Sequence, residues 1–362
     1  MKKAYLILND GHIFEGLRFG AEGDALGELV FNTSMCGYVE TISDPSYYGQ
    51  IVMQTFPLIG NYGVMQEDMQ SDRSVLRGYV VREWCTTPSN FRAEGDIDTY
   101  LKEKGVVGLY GVDTRQITRI IRDSGVMNAK IVDTLPQDPV CGLEEYTITK
   151  AVPGVSVKQK TVHEPSGCNA PKHTLALIDY GVRRDMLCEL QRRGCRVIQL
   201  PYDVTAEEVL ALHADGVVLS NGPGNPAENT LCIDTLKKLT GKIPMFGICL
   251  GHQLLALAHG GHTQKLKYGH RGANQPVKCL GNGRVYITNQ NHGYTVLADS
   301  MKGKGEISFI NAHDGTCEGI DYPDQKAFSV QFYPETCGGP QDSVKLFDRF
   351  ITMTGGKDYA AE

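Results

Sequence analysis

The chain has no long apolar run: nothing in its 362 residues approaches the length needed to cross a bilayer. Its start, M-K-K-A-Y-L-I-L-N-D-G, carries two lysines but too short an apolar stretch for a signal-peptide core, so a strand entering a hairpin turn at Asn9-Asp10-Gly11 is expected. The eleven cysteines are odd in number, scattered and without a C-x-x-C pair. That argues against a disulfide framework or zinc ribbon and makes a reducing cytosol the default compartment. His252, His259, His262 and His270 are close in sequence but lack H-E-x-x-H or any tight ligand spacing, so no metal is expected. A basic surplus is missing too. The net charge of -6 offers no reason to expect nucleic acid or an anionic membrane as partner. Neither G-x-x-x-x-G-K-[ST] nor a convincing G-x-G-x-x-G occurs, so nucleotide chemistry would have to come from another fold or another chain. No internal repeat or low-complexity tract is present.

What is there fits a soluble globular protein: 41% apolar and 22% charged residues, over a length that calls for two domains. Glycine is abundant, at 41 residues, which favours many tight turns over a helical bundle. Residues 1–150 read mainly as strands and turns, with V-F-N-T and Q-I-V-M-Q-T-F as β stretches. Two helices are expected there, Asp96 to Lys104 and one from Asp113, a good N-cap, to the Ser124-Gly125 stop. Residues 151–171 are the expected linker, since the stretch from Ala151 to Lys172 has three prolines, two glycines and no helical period. From 172 to 362 the pattern alternates. T-L-A-L-I-D-Y, C-R-V-I-Q-L, D-G-V-V-L-S and I-P-M-F-G-I are strands, each followed by a helical stretch, one of them opened by a Thr205–Glu208 capping box. The alternation predicts an α/β fold with a doubly wound, mostly parallel sheet, preceded by a smaller β-rich domain. Ligands would bind at the carboxyl ends of its strands. From His262 to Glu335 the chain is β-rich, and a closing helix is expected over Asp342 to Thr352.

The strongest local signal for chemistry is F-G-I-C-L-G-H-Q, Phe246 to Gln253. Cys249 stands between strand and helix with Gly247 and Gly251 at the spacing of a nucleophile elbow. Flanking glycines allow a sharp, strained turn, and the following helix N-terminus favours thiolate. The Leu250 amide could donate to an oxyanion. A buried cysteine in a tight strand–helix turn would look similar. S-N-G-P-G-N-P, Ser220 to Pro226, follows the preceding strand and so lies at the same sheet edge. Its Gly222 and Gly224 suit a second oxyanion donor and close approach of a small substrate, although Gly-Pro loops are usually only turns.

The cysteine elbow, the S-N-G-P-G loop and a late Q-F-x-P-E together resemble the class I, triad-type glutamine amidotransferases, over Lys172 to the C-terminus. T-N-Q-N-H-G-Y, Thr288 to Tyr294, is similar to that family's substrate-holding segment. The first half narrows the resemblance. G-Y-V-E-T-I-S-D-P-S-Y-Y-G-Q-I-V from Gly37, P-L-I-G-N-Y-G from Pro57, G-V-D-T-R from Gly111, M-N-A-K-I from Met127 and I-D-Y-G-V-R-R-D-M-L from Ile178 look like the carbamoyl-phosphate synthase small-chain family, essentially end to end.

That resemblance implies a glutaminase subunit. Cys249 would attack the amide carbon of glutamine, ammonia would leave, and water would hydrolyse the thioester. Ammonia would pass through a tunnel to a large synthetase chain, which makes carbamoyl phosphate from bicarbonate and ATP for arginine and pyrimidine biosynthesis. ATP and Mg would sit on that partner, with no cofactor in this chain. Carried over by motif, Gly222 and Leu250 supply oxyanion amides, while Ser46, Gly224, Gln253, Asn291, Gly293 and Tyr294 hold glutamine. Ser46, from D-P-S-Y, would reach in from the first domain; without the resemblance it reads as a turn serine.

One position departs from the pattern. The family's late strand reads Q-x-H-P-E, with the histidine as general base and the glutamate orienting it. Here the base position is Tyr333, while Pro334 and Glu335 are retained. Tyrosine's reference pKa near ~10, against ~6.5 for histidine, leaves about one phenol in a thousand ionised at neutral pH. A neighbouring carboxylate would suppress ionisation further. The cysteine depends less on a base, so thioester formation could survive, slowed. Three readings stay open: a small chain with a crippled glutaminase, a non-enzymatic subunit supporting a partner that uses free ammonia, and a working glutaminase with an unusual base. An amidotransferase subunit of another synthetase is the remaining alternative. His252 and His292 are the histidines near enough in motif to substitute.

Overall fold

The computed structural model describes residues 2–167, 170–335 and 338–355. Two compact units divide the chain, Met1–Ala151 and Val152–Glu362.

In the first unit seven strands close a barrel, in the order Lys3–Leu8, Ile13–Gly20, Val107–Tyr110, Gly78–Val81, Gln50–Gln54, Ala25–Asn32 and Met127–Val132. The hairpin expected at Asn9-Asp10-Gly11 is present, with Gly11 at φ 91°. One set of strand side chains, including Leu6, Leu29, Met53, Leu109 and Ile131, packs together with Ile117 and Ile121. Those two lie four residues apart on one stripe of helix Thr114–Ser124, which explains why that helix docks where it does. Its start is capped by Asp113, whose carboxylate accepts from the Gln116 amide, and Gly125 ends it. The helix expected from Asp96 runs over Ile97–Glu103, capped in the same way.

The second unit is built on one ten-stranded sheet. Its centre is parallel: Cys195–Pro201, His173–Asp179, Gly216–Leu219, Met245–Ile248 and Ala327–Val330, side by side in that order. Antiparallel strands extend it, Cys317–Tyr322, Glu306–Asn311, Thr263–Cys279 and Val285–Val296 on one side and Thr161–His163 on the other, so the sheet is mixed. Helices cover both faces. Ala206–Ala211, Thr230–Leu239 and Leu250–Ala258 pack through Val209, Leu236 and Leu254 on one. Arg184–Arg192 and Lys345–Met353 pack through Leu190, Phe347 and Phe350 on the other. The near-continuous apolar runs of the central strands follow from this double cover.

Two expectations are corrected. The stretch expected to be a linker contains a short helix and a short strand. Ala151–Val155 is helical, Val152 joins the core of the second unit, and Thr161–His163 pairs with the Cys195–Pro201 strand. Pro153 and Gly154 sit inside a helix of five residues, too short for a period to show in sequence. Cys168 and Asn169 of that stretch lie outside the described residues. The closing helix begins at Lys345, three residues later than read. Among the described residues no helix is long and apolar enough to cross a membrane.

Candidate active site

Because the five central strands are parallel, their carboxyl ends face the same way, and residues from far-apart sequence segments meet at that edge. Strand Met245–Ile248 ends in Cys249, which opens helix Leu250–Ala258. Cys249 has φ 54° and ψ −102°, a conformation L-residues rarely adopt and one that costs of the order of 1–3 kcal/mol. Neighbouring strands hold it there. Its amide donates to the Val330 carbonyl at 2.9 Å, and the Gly251 amide donates to that of Ser220 at 3.0 Å. Glycine is required on both sides. A Cβ on Gly251 would collide with the Leu219 carbonyl oxygen, and one on Gly247 would lie 2.8 Å from that of Gly251. The elbow read from sequence is therefore present, and its strain is measurable.

The S-N-G-P-G loop is tied to the same edge. The Tyr180 amide donates to Ser220 Oγ at 2.8 Å, and Asn221 Nδ2 donates to the Gly181 carbonyl at 2.8 Å. Gly222 packs so closely that a Cβ would press on the Tyr180 carbonyl and approach Leu250 Cδ2 to 2.8 Å. Gly222 is thus packed against the Leu250 side chain. Gly224 has φ 88°, a left-handed turn position.

The antiparallel extension brings in the third segment. Tyr333 bridges to Asn289, its amide donating to the Asn289 carbonyl at 2.9 Å. Cys249 Sγ donates to the Asn291 carbonyl at 3.7 Å, and Tyr333 Oη donates to the same oxygen at 3.3 Å. Gln253 Nε2 donates to the Tyr294 carbonyl at 2.8 Å and to Gln331 Oε1 at 2.9 Å. Asn291 to Tyr294 are therefore held against the elbow helix. Gly293 lies in the same strand, 3.2 Å from Arg271 Nη2 by the position its Cβ would take. Ser46 belongs to the first unit, in the short turn Pro45–Tyr47, where its amide donates to Asp44 Oδ1 at 2.8 Å.

Sequence reasoning missed Arg183. It is 2% exposed, its guanidinium carbon stands 4.7 Å from the centre of the Tyr333 ring, and its Nε is 4.0 Å from Glu335 Oε1. The surroundings of the phenol thus hold a cation as well as the retained carboxylate. Paired arginines in I-D-Y-G-V-R-R-D were the available signal, since a guanidinium is seldom buried without a partner.

Neither spare histidine is placed as a base. His252 is fully buried, bonds Ser329 Oγ at 2.8 Å through Nδ1, and is pushed down to about 3 by burial. His292 faces the Tyr294 carbonyl at 2.7 Å and Gln290 Oε1 at 3.0 Å, and burial pushes it well down. Of the four histidines close in sequence, His259 turns to Gln325 and His270 to Asp314. Donor atoms of His270, His292 and Glu318 lie within 4.8 Å of one another, the one such grouping among the described residues. Hydrogen bonds from Gln290 and Asn311, and the His270–Glu318 approach of 3.4 Å, already engage that cluster from within the protein.

Comparison with known proteins matches residues 6–131 to the family described as carbamoyl-phosphate synthase small chain, CPSase domain, and residues 176–353 to glutamine amidotransferase class-I. The chain is 48% identical over 354 residues to a carbamoyl phosphate synthase small chain of Bacillus caldolyticus, covering 97% of this chain and 96% of that one. A Clostridium perfringens protein of the same description is 48% identical over 353 residues, covering 96% and 99%. One from Listeria monocytogenes is 45% identical over 364 residues, covering 99% and 98%.

Proposed function

Since the chain belongs to the carbamoyl-phosphate synthase small-chain family and carries its class I glutamine amidotransferase domain, we propose that it is a glutamine-hydrolysing subunit whose turnover is impaired by Tyr333. The observation that carries this reading is the Asn291 carbonyl, on which the nucleophile candidate and the residue in the base position converge. In the proposed reaction Cys249 Sγ bonds to the amide carbon of glutamine. Negative charge collects on the amide oxygen, facing the N–H groups of Gly222 and Leu250. The C–N bond breaks, ammonia leaves with a proton gained, and water then cleaves the thioester to release glutamate. Gly224, Gln253, Asn291, Gly293 and Tyr294 line the place where glutamine would lie. Glu335 acts through its neighbours.

The difficulty lies in proton movement. Cysteine is partly thiolate near neutral pH, so attack can proceed without a strong base. Protonating the leaving nitrogen and activating water need a group that both gives and takes a proton. A phenol is poorly suited to that exchange near neutral pH, and the Tyr333 hydroxyl donates to the Asn291 carbonyl at 3.3 Å. A general acid–base partner is worth typically ~10²–10⁴ in rate. That same hydrogen bond favours a second reading, in which the chain is a structural subunit and the complex runs on free ammonia.

The remaining parts of the proposal follow the family. The partner is a large synthetase chain that carries ATP and Mg and forms carbamoyl phosphate for arginine and pyrimidine synthesis, as a heterodimer in the cytoplasm. The test is ammonia release from glutamine by the complex, comparing Tyr333 with Tyr333→His. A rise of at least ~10² is expected, with ammonia-dependent synthesis little changed. Equal rates in the two proteins would sink the impairment reading.

A further inference from the structure

The elbow helix receives two side chains from the strand that leads to Tyr333. Ser329 and Gln331 are two apart and so share one face of that strand and its continuation. They meet His252 Nδ1 at 2.8 Å and Gln253 Nε2 at 2.9 Å. None of the chemistry proposed above uses Gln331, which is fully buried. Its own nitrogen, Nε2, is sealed from solvent without a hydrogen-bond partner among the described residues. A glutamine present only to fill space would be a poor choice there. A buried donor left unmet is a cost that an apolar side chain of similar length avoids.

The bonds at Gln253 fix which way both amides are turned. Gln253 touches the Tyr294 carbonyl oxygen at 2.8 Å, and a carbonyl only accepts, so the end turned to it is the amide nitrogen. That nitrogen carries two hydrogens. The second goes to Gln331, whose contacting atom must then be its oxygen. One hydrogen bond leaves an amide free to swing about it. Two bonds from the same nitrogen to acceptors on different strands fix the plane of the group, and with it the direction of Gln253 Oε1.

That oxygen takes no hydrogen bond from the described residues, and unlike Gln331 Nε2 it is not sealed. Both donors of Gln253 are therefore spent inside the protein, and what it shows a ligand is an acceptor alone. Gln253 stands one helical turn beyond Cys249, about 6 Å along the axis. With the scissile amide carbon at the sulfur, an extended glutamine brings its ammonium toward that position, and its amide nitrogen stays behind at the sulfur.

We propose that Gln331 is a positioning residue: by taking the second hydrogen of the Gln253 amide, it holds Gln253 Oε1 as a fixed acceptor for the substrate's ammonium group. A group ordered beforehand raises affinity because the ligand does not have to order it on arrival. The identity of the ligand rests on the glutaminase reading; the fixing of the amide does not.

The experiment is protection of Cys249 against iodoacetamide in the full-length protein, which needs no turnover. The ligands are glutamine and 4-carbamoylbutanoate, the same molecule without the ammonium. In Gln331→Met, half-protection should need about fivefold to tenfold more glutamine than in wild type, the equivalent of one hydrogen bond. For 4-carbamoylbutanoate the two proteins should agree within about twofold. Gln331→Glu keeps an acceptor for the Gln253 nitrogen and should bring glutamine protection back to within about threefold of wild type. Equal losses for both ligands would make Gln331 merely structural, and no loss for glutamine would remove its role; either overturns the proposal. Should 4-carbamoylbutanoate protect neither protein, Gln331→Glu decides: failure to restore glutamine protection overturns it. If glutamine does not protect the wild type, the glutaminase reading falls, and side-chain amide NMR decides the rest. The Gln253 NH2 pair, identified by its absence in Gln253→Met, should exchange slowly with solvent in wild type and faster in Gln331→Met. Equal exchange in the two proteins would refute the fixing of the amide.

Discussion

Cys249 and Tyr333 share one acceptor: the thiol and the phenol both donate to the carbonyl oxygen of Asn291, at 3.7 and 3.3 Å. A base beside a nucleophile would accept the thiol's proton. Here both groups offer a proton to a third.

If the Tyr333 hydroxyl takes no part in proton transfer, removing it changes little. Tyr333→Phe should leave any residual glutamine hydrolysis within about twofold of wild type, since only a hydrogen bond of about 1 kcal/mol is lost. Coupled ammonia detection at saturating glutamine measures this. A drop of ~10² or more would mean that the phenol serves as the unusual base.

The strained backbone at Cys249 reverses a normal order of stability. At an ordinary site alanine is the more favourable residue, because glycine loses more entropy on folding. At φ 54°, ψ −102° glycine is the residue without strain. Cys249→Gly should therefore unfold at a higher temperature than Cys249→Ala, by the equivalent of about 1 kcal/mol, in differential scanning calorimetry.

Arg183 and Glu335 are buried beside the Tyr333 ring, the arginine 2% and the glutamate 3% exposed. Removing one charge leaves the other in a dry site, so Arg183→Met should cost about 3 kcal/mol in denaturant unfolding. Arg183→Met combined with Glu335→Gln should cost less than the sum of the single changes. Additivity would show that the two side chains do not interact.

His270 gives the second unit a pH signature. Its folded pKa is raised, to about 9, so its contribution is complete below the unfolded value near ~6.5 and is lost as pH rises through 9. Stability should fall by about 3 kcal/mol between those limits. Asp314, held low by His270 and Thr316 despite burial, acts in the opposite window, losing its contribution only in acid. Thermal unfolding followed from neutral to alkaline pH checks the slope, which His270→Asn should flatten.

Close packing at the elbow gives the last prediction. A Cβ at Gly251 meets the Leu219 carbonyl, a backbone atom that cannot swing aside. Gly251→Ala should cost about 1–3 kcal/mol by overpacking. It should also change the rate at which Cys249 is alkylated, because the helix that opens at that turn must shift.

Much of the second unit was readable along the chain. Strand–helix alternation, the Thr205 capping box and the glycine stops are local, and each sets backbone geometry within a few residues. The cysteine elbow was readable for the same reason: G-I-C-L-G is itself the constraint. Local pattern failed where an element was short. The five-residue helix at Ala151 and the three-residue strand at Thr161 have no period to detect, and the prolines and glycines in and around them suggested a linker.

Sequence alone determined the kind of protein and the anomaly in it: motifs in order from Gly37 to Glu335, with tyrosine where a histidine is expected. Tertiary structure decided what surrounds that tyrosine. Arg183 lies 150 positions before Tyr333, and Asn291 is 42 positions from it and from Cys249. No periodicity encodes such meetings. They arise because parallel strands deliver their carboxyl ends to one edge and the antiparallel extension folds a distant strand back onto it.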